Sequence, residues 1–184
     1  MKYKIFGKGG HANVISSFIK RDQLIGLWDE SDYLSAPTTG KWIVAIGDNS
    51  IRERIVKEVL VDYRFASVIS INSIIRGNIG IGTSVHDFST IQANSSIGDH
   101  CIINTSSSID HDCQIDSFVH IAPNSTLCGG VKVGAGSMIG AGSVILPNIR
   151  IGKNSIIGAG SVVTKDIGNG CKGWGNPYKT YHKL

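Results

Sequence analysis

Asp110, His111 and Asp112 stand in a row inside SSIDHDCQIDSF, residues 107–118, a stretch otherwise built from small and aliphatic residues. A histidine between carboxylates is equipment for proton transfer: the imidazole titrates near neutrality, and an adjacent acid fixes its tautomer and supports the imidazolium form. A solvated polar corner has the same composition, so the position of the three residues in the fold has to decide between the readings. A general base for acyl transfer also needs a donor for the developing oxyanion, and a backbone N–H at a glycine can supply it.

The element that carries these residues is periodic. Read in steps of six from Ile79, the chain gives Val85, Ile91, Ile97, Ile103, Ile109, Ile115, Ile121, Leu127, Val133, Ile139, Ile145, Ile151, Ile157 and Val163, aliphatic at every step. Four residues after most of them comes a small residue such as Ser95, Cys101, Ser107, Cys113, Ser125 or Ser137. A period of six fits neither an isolated helix nor a hairpin; it fits a parallel β-helix in which each hexad is one short strand and one corner. In that reading the aliphatic residue stacks inward and the small one lets the chain turn. Three hexads close a triangular coil of about eighteen residues, with coils spaced like neighbouring strands, about 4.8 Å apart. His111, two residues past Ile109, then falls at an outward corner. One coil later the same corner carries Gly129, whose backbone can approach a ligand closely. His120 lies half a coil from His111, on an outward strand position.

The first seventy residues follow another pattern. YKIFG and KGGHANVISSFIKRD read as strand, Gly-rich turn and amphipathic helix, with Val14 and Phe18, joined by Ile15, facing inward. LIGLWDES and KWIVAIGDN read as further strands, and SIRERIVKEVL as a helix with Ser50 as N-cap. Alternating β and α segments imply a small Rossmann-like parallel sheet. Gly7-Lys8-Gly9-Gly10-His11-Ala12 matches the form G-x-G-x-x-A, and Asp29 follows about twenty residues later at a strand end, the pattern of a phosphate-binding turn with a ribose-binding acid. The unit is half the size of a full dinucleotide fold, so a mononucleotide or nucleotide-sugar is expected rather than NAD. The expected organisation is an α/β nucleotide-sugar-binding domain over residues 1–72, a left-handed hexapeptide β-helix over 73–168 and a tail over 169–184.

The 18 basic and 14 acidic residues give a net charge of +4, suited to an anionic small ligand and too dispersed for a nucleic-acid surface. Cys101, Cys113, Cys128 and Cys171 have no C-x-x-C spacing and read as small buried thiols. The six histidines lack the close pair with a third partner at a suitable coil offset that zinc needs, so no metal is expected. No apolar run reaches the length of a membrane span, and MKYKIFGKGG lacks a leader's apolar core; the expected location is cytoplasmic.

Taken together, GKGGH, LWDES, VAIGDNSIRERI, the segment INTSSSIDHDCQIDSFVHIAPNSTLCGGVKVG and the closing GWGNPYK resemble bacterial sugar acetyltransferases of the PglD and NeuD type. The resemblance covers nearly the whole chain and is strongest to enzymes that N-acetylate a nucleotide-linked 4-amino-4,6-dideoxy sugar, UDP-linked ahead of GDP-linked. It implies acetyl-CoA as cosubstrate, His111 as the base oriented by Asp112, and Asn104 in the same network. It further implies His120 near the thioester, the Gly129 N–H as donor to the acetyl carbonyl, and Ala141 and Ala159 along the pantetheine arm. Gly9, Gly10, His11 and Asp29 fall where the nucleotide-sugar binds, and a homotrimer with sites between subunits is implied. Two departures stand out: Asp112 is shorter than the glutamate common there, and Trp28 with Glu30 alters the end of the second strand. Competing readings are O-acetylation of a free sugar of the sialic-acid type and a non-catalytic scaffold that binds nucleotide-sugars.

Overall fold

A computed structural model describes residues 1–183. Strand β1 (Tyr3–Phe6) leads through the Gly-rich turn into helix α1 (Gly10–Ser17), followed by β2 (Leu24–Trp28), β3 (Lys41–Val44) and helix α2 (Asn49–Arg54), which runs on as a wider π-type turn over Ile55–Val59. The strands form one parallel sheet in the order β2-β1-β3. Ile5, Ala12, Ile15 and Ile43 pack on one side of it, Phe6, Trp42, Val44 and Ile55 on the other.

Two local expectations are corrected here. Val14 is 41% exposed; Ile15 is buried and Phe18 packs against the same core as expected, and Ala12 takes the inward place in Val14's stead. Asp48, not Ser50, caps α2: its Oδ1 accepts the Ile51 N–H at 2.9 Å, and the Ser50 hydroxyl donates to the same oxygen. The carboxylate sits in extended backbone just ahead of the helix, from which it can reach the third residue on.

From β3 the chain passes along that strand's edge at Phe65 and enters a solenoid with three parallel faces. The first face stacks Val68–Ile69, Ser84–Val85, Ile102–Ile103, His120–Ile121, Met138–Ile139, Ile156–Ile157 and Cys171–Trp174, and Lys179–Lys183 closes it antiparallel. The second runs from Ile74–Ile75 to Val162–Val163 and the third from Asn78–Ile79 to Arg150–Ile151. The inward column is the hexad series, with Val85, Ile91, Ile103, Ile109, Ile121, Leu127, Ile139 and Ile145 all fully buried.

The corners work differently from the sequence expectation. Residues at steps of six from Gly82 to Gly160, including Asn94, Ser106, Asp112, Asn124, Gly130 and Asn148, all have φ between 52° and 73°. These left-handed residues make the turn, and Gly, Asn and Asp tolerate that conformation best. The small residue that follows points into the coil, where its hydroxyl serves the backbone. Ser125 Oγ donates to the Gly140 carbonyl at 2.9 Å, Ser95 Oγ donates to Asp110 O at 2.6 Å, and the Cys113 N–H donates to Ser95 Oγ at 2.9 Å. A bulkier side chain would overfill the coil, and Ala would leave those corner groups without partners. Cys101 and Cys113 occupy this position as buried thiols.

Candidate active site

Three groups of residues are built by these elements. The first is the corner between the second and third faces. Asp110 Oδ1 accepts the His111 N–H at 2.8 Å, and Asp112, in the left-handed position, places Oδ2 2.7 Å from His111 Nδ1. Both side chains of that pair are more than half exposed. A Cβ on Gly129 would lie 2.6 Å from His111 Cε1 and 2.7 Å from Nε2, so the ring rests directly over a glycine that no other residue can replace without moving it. The carboxylate holds the proton on Nδ1 and leaves the Nε2 lone pair directed away from it. Asp112 first, and Asp110 after it, push the His111 pKa up; the same contact, with help from Asn94, pulls Asp112 down.

The second group lies where the α/β unit covers the first face. His120 projects outward from its coil yet is 9% exposed, because this face is roofed. Asn104 Oδ1 accepts the Thr105 N–H at 2.8 Å, which turns Nδ2 toward His120 Nε2 at 3.2 Å. The amide donates, so His120 accepts at Nε2 and carries its proton on Nδ1. His11 stacks on His86 at 5.3 Å between ring centres, with Phe18 edge-on to the same imidazole. Burial is the main cause that drives these pKa values down, His11 to about 3 and His86 and His120 to about 4, so all three are neutral near pH 7.

The third group is the Gly-rich turn. Gly7 adopts φ 128°, and a Cβ there would meet Ala45 O at 2.8 Å, whereas among the described residues nothing lies within 4 Å of the corresponding positions on Gly9 and Gly10. That leaves their side of the α1 start open. Lys8 Nζ bridges Asp29 at 3.1 Å and Asp32 at 2.7 Å. Asp29 also accepts from the Ser31 N–H and hydroxyl, and Ser31 with Lys8 lowers its pKa to about 2.

Within one chain the first two groups do not meet. His111 stands at the edge shared by the second and third faces, while His120 is on the first face, across the full width of the triangular coil. Asn104 partners His120, not His111. Ala141 and Ala159 are exposed on the edge between the first and second faces. The second face, which separates that edge from the His111 edge, presents Ile74, Thr90, Ser108, Thr126, Val144 and Val162 outward, without a charge. The third face presents Gln114, Lys132 and Arg150.

Residues the sequence did not single out are His86, Asn49 and Arg52. Asn49 and Arg52 sit three apart at the start of α2, a spacing that puts both on one side of the helix.

Residues 130–165 match the family of bacterial transferase hexapeptide proteins, six repeats. The whole fold superposes on PerB from Caulobacter crescentus, determined with CoA and GDP-perosamine: TM-score 0.90, 30% identity, 99% of this chain and 98% of that one. The chain therefore belongs to the bacterial hexapeptide transferases, with the left-handed β-helix of that family. Among its relatives are sugar N-acetyltransferases. The acetyltransferase domain of PglB from Neisseria gonorrhoeae, in complex with acetyl coenzyme A, matches with TM-score 0.89 and 28% identity over 98% of both chains. GDP-perosamine N-acetyltransferase of Escherichia coli O157:H7 is 36% identical over 117 residues, 61% of this chain but only 53% of that relative's length.

Proposed function

We propose that this protein transfers the acetyl group of acetyl-CoA to the amine of a nucleotide-linked 4-amino-4,6-dideoxy sugar, with His111 as general base. The observation that carries the reading is the His111 imidazole, held at Nδ1 by Asp112 with Nε2 over Gly129. The amine attacks the thioester carbon, Nε2 takes the amine proton, the Gly129 N–H receives the carbonyl oxygen, and the C–S bond breaks to release CoA. The α/β unit serves as a Rossmann-like anchor for the nucleotide: the space beside the Gly9 and Gly10 Cα atoms is open at the start of α1, and His11 lines the seam toward His120. PerB holds GDP-perosamine and the Escherichia coli relative is a GDP-perosamine N-acetyltransferase, which favours GDP over the UDP suggested by sequence.

The site needs two chains. Copies meeting through the uncharged second face bring the His111 edge of one against the Ala141 and Ala159 edge of the next, and three such contacts close a ring. Acetyl-CoA then lies between subunits. Among the described residues no helix is long and apolar enough to cross a membrane, compatible with acceptors formed in the cytoplasm.

Thiol release from acetyl-CoA against a panel of GDP- and UDP-linked 4-amino sugars tests this reading. Release with one GDP-linked amine is expected, and His111→Ala should lower kcat by about 10² to 10⁴ while acetyl-CoA affinity is kept. Unchanged turnover in that variant would sink the mechanism; silence across the panel with release on free sugars would mark an O-acetyltransferase.

A further inference from the structure

Arg52 is 1% exposed, and among the described residues none of its hydrogen-bond partners is a carboxylate. Its Nε donates to His100 O at 2.8 Å and its Nη2 to Phe118 O at 3.0 Å. On the other side, Nη1 donates to Ile46 O at 2.9 Å and Nη2 to Asn49 Oδ1 at 2.7 Å. Asn49 Nδ2 in turn donates to Gly136 O and Ser137 O, both at 3.0 Å. His100, Phe118 and Gly136 are the left-handed residues of one corner on three successive coils. Two side chains of α2 thus grip the same corner on consecutive coils. An arginine buried this deeply is tolerated because a full set of oriented carbonyls replaces its water.

We propose that Asn49 and Arg52 are positioning residues for acetyl transfer: as a latch across three coils, they fix the reach from the nucleotide-anchoring turn to His120. The inference rests on the function proposed above. Phe118, held by Arg52, lies two residues before His120, and Ile46 leads into the Gly47–Asp48 stretch beside α2. A sugar anchored on the α/β unit meets the acetyl group at a distance set by this docking, and a shift of about 1 Å in such a distance costs on the order of 10² in rate.

Arg52→Lys keeps the charge and loses the forked geometry; Asn49→Ala removes the third grip alone. Both are expected to bind GDP as the wild type does and to keep the KM for acetyl-CoA. The kcat with the sugar nucleotide should drop about a hundredfold in the first and about tenfold in the second. The His120 ring-nitrogen resonances should move in both, and those of His111 should stay. A merely structural latch would lower the melting temperature and leave kcat and the His120 resonances in place, and that result overturns the inference. Should Arg52→Lys not fold, Asn49→Ala decides alone. Absence of thiol release by the wild type would count against the proposed function, and the His120 resonances would then decide whether the latch positions that ring.

Discussion

His111 stands on an edge of the solenoid with its side chain 61% exposed and a carboxylate on Nδ1, while His11, His86 and His120 are packed in the seam under the α/β unit and, among the described residues, have no carboxylate in hydrogen-bond contact. Acid neighbours raise the first; burial lowers the others. The contrast separates two uses of one side chain. Under the proposed mechanism the ring that accepts a proton is wet and paired with an anion, whereas the rings packed in the seam are dry and stay neutral.

Acid pH should break the dry group first and with the largest effect. His11, His86, His100 and His120 titrate near 3 to 4 when folded, against 6.5 as the ordinary value, so the unfolded chain binds more protons between these limits. Their neutral burial is without penalty above pH 6.5, and stability is lost as the pH falls from there toward 4. Denaturant titrations should give a loss on the order of 1–2 kcal/mol per seam histidine between pH 7 and 5; a flat profile would mean that the seam is already open. Gly129→Ala should come next: the new methyl pushes the His111 ring aside, and kcat should fall about 10²-fold with the melting temperature unchanged. Asp112→Asn should lower kcat about tenfold and, by removing the anion that raises His111, move the acid limb of the kcat/KM profile to lower pH. Smallest of all, Lys8→Ala removes a surface pair with Asp29 and Asp32 and should leave the midpoint of chemical denaturation indistinguishable from the wild type.

The hexad column was legible because every inward slot imposes the same demand, and the exposure of His111 followed from its offset of two from Ile109. His120 was legible as outward but not as buried, since its cover comes from the α/β unit, far earlier in the chain. The same long range hid Arg52: in SIRERI it reads as one more surface cation, and only the docked coils supply its carbonyl partners. The Asp48 cap was missed because serine and aspartate both suit that position, and two residues of register separate the choices.

Pairing along each face joins residues eighteen apart, as Ile102 with His120 and Ser108 with Thr126. A deletion of one hexad would therefore rotate everything beyond it by a third of a turn, carrying the Lys132 and Arg150 column out of line with Gln114 and onto a different face. Removing a full eighteen residues between Ala141 and the closing hairpin leaves each column aligned with itself. The chain can change length over its history in units of one coil, and the edge that carries Ala141 and Ala159 can be lengthened or shortened by such steps while the His111 edge and the latched seam keep their places.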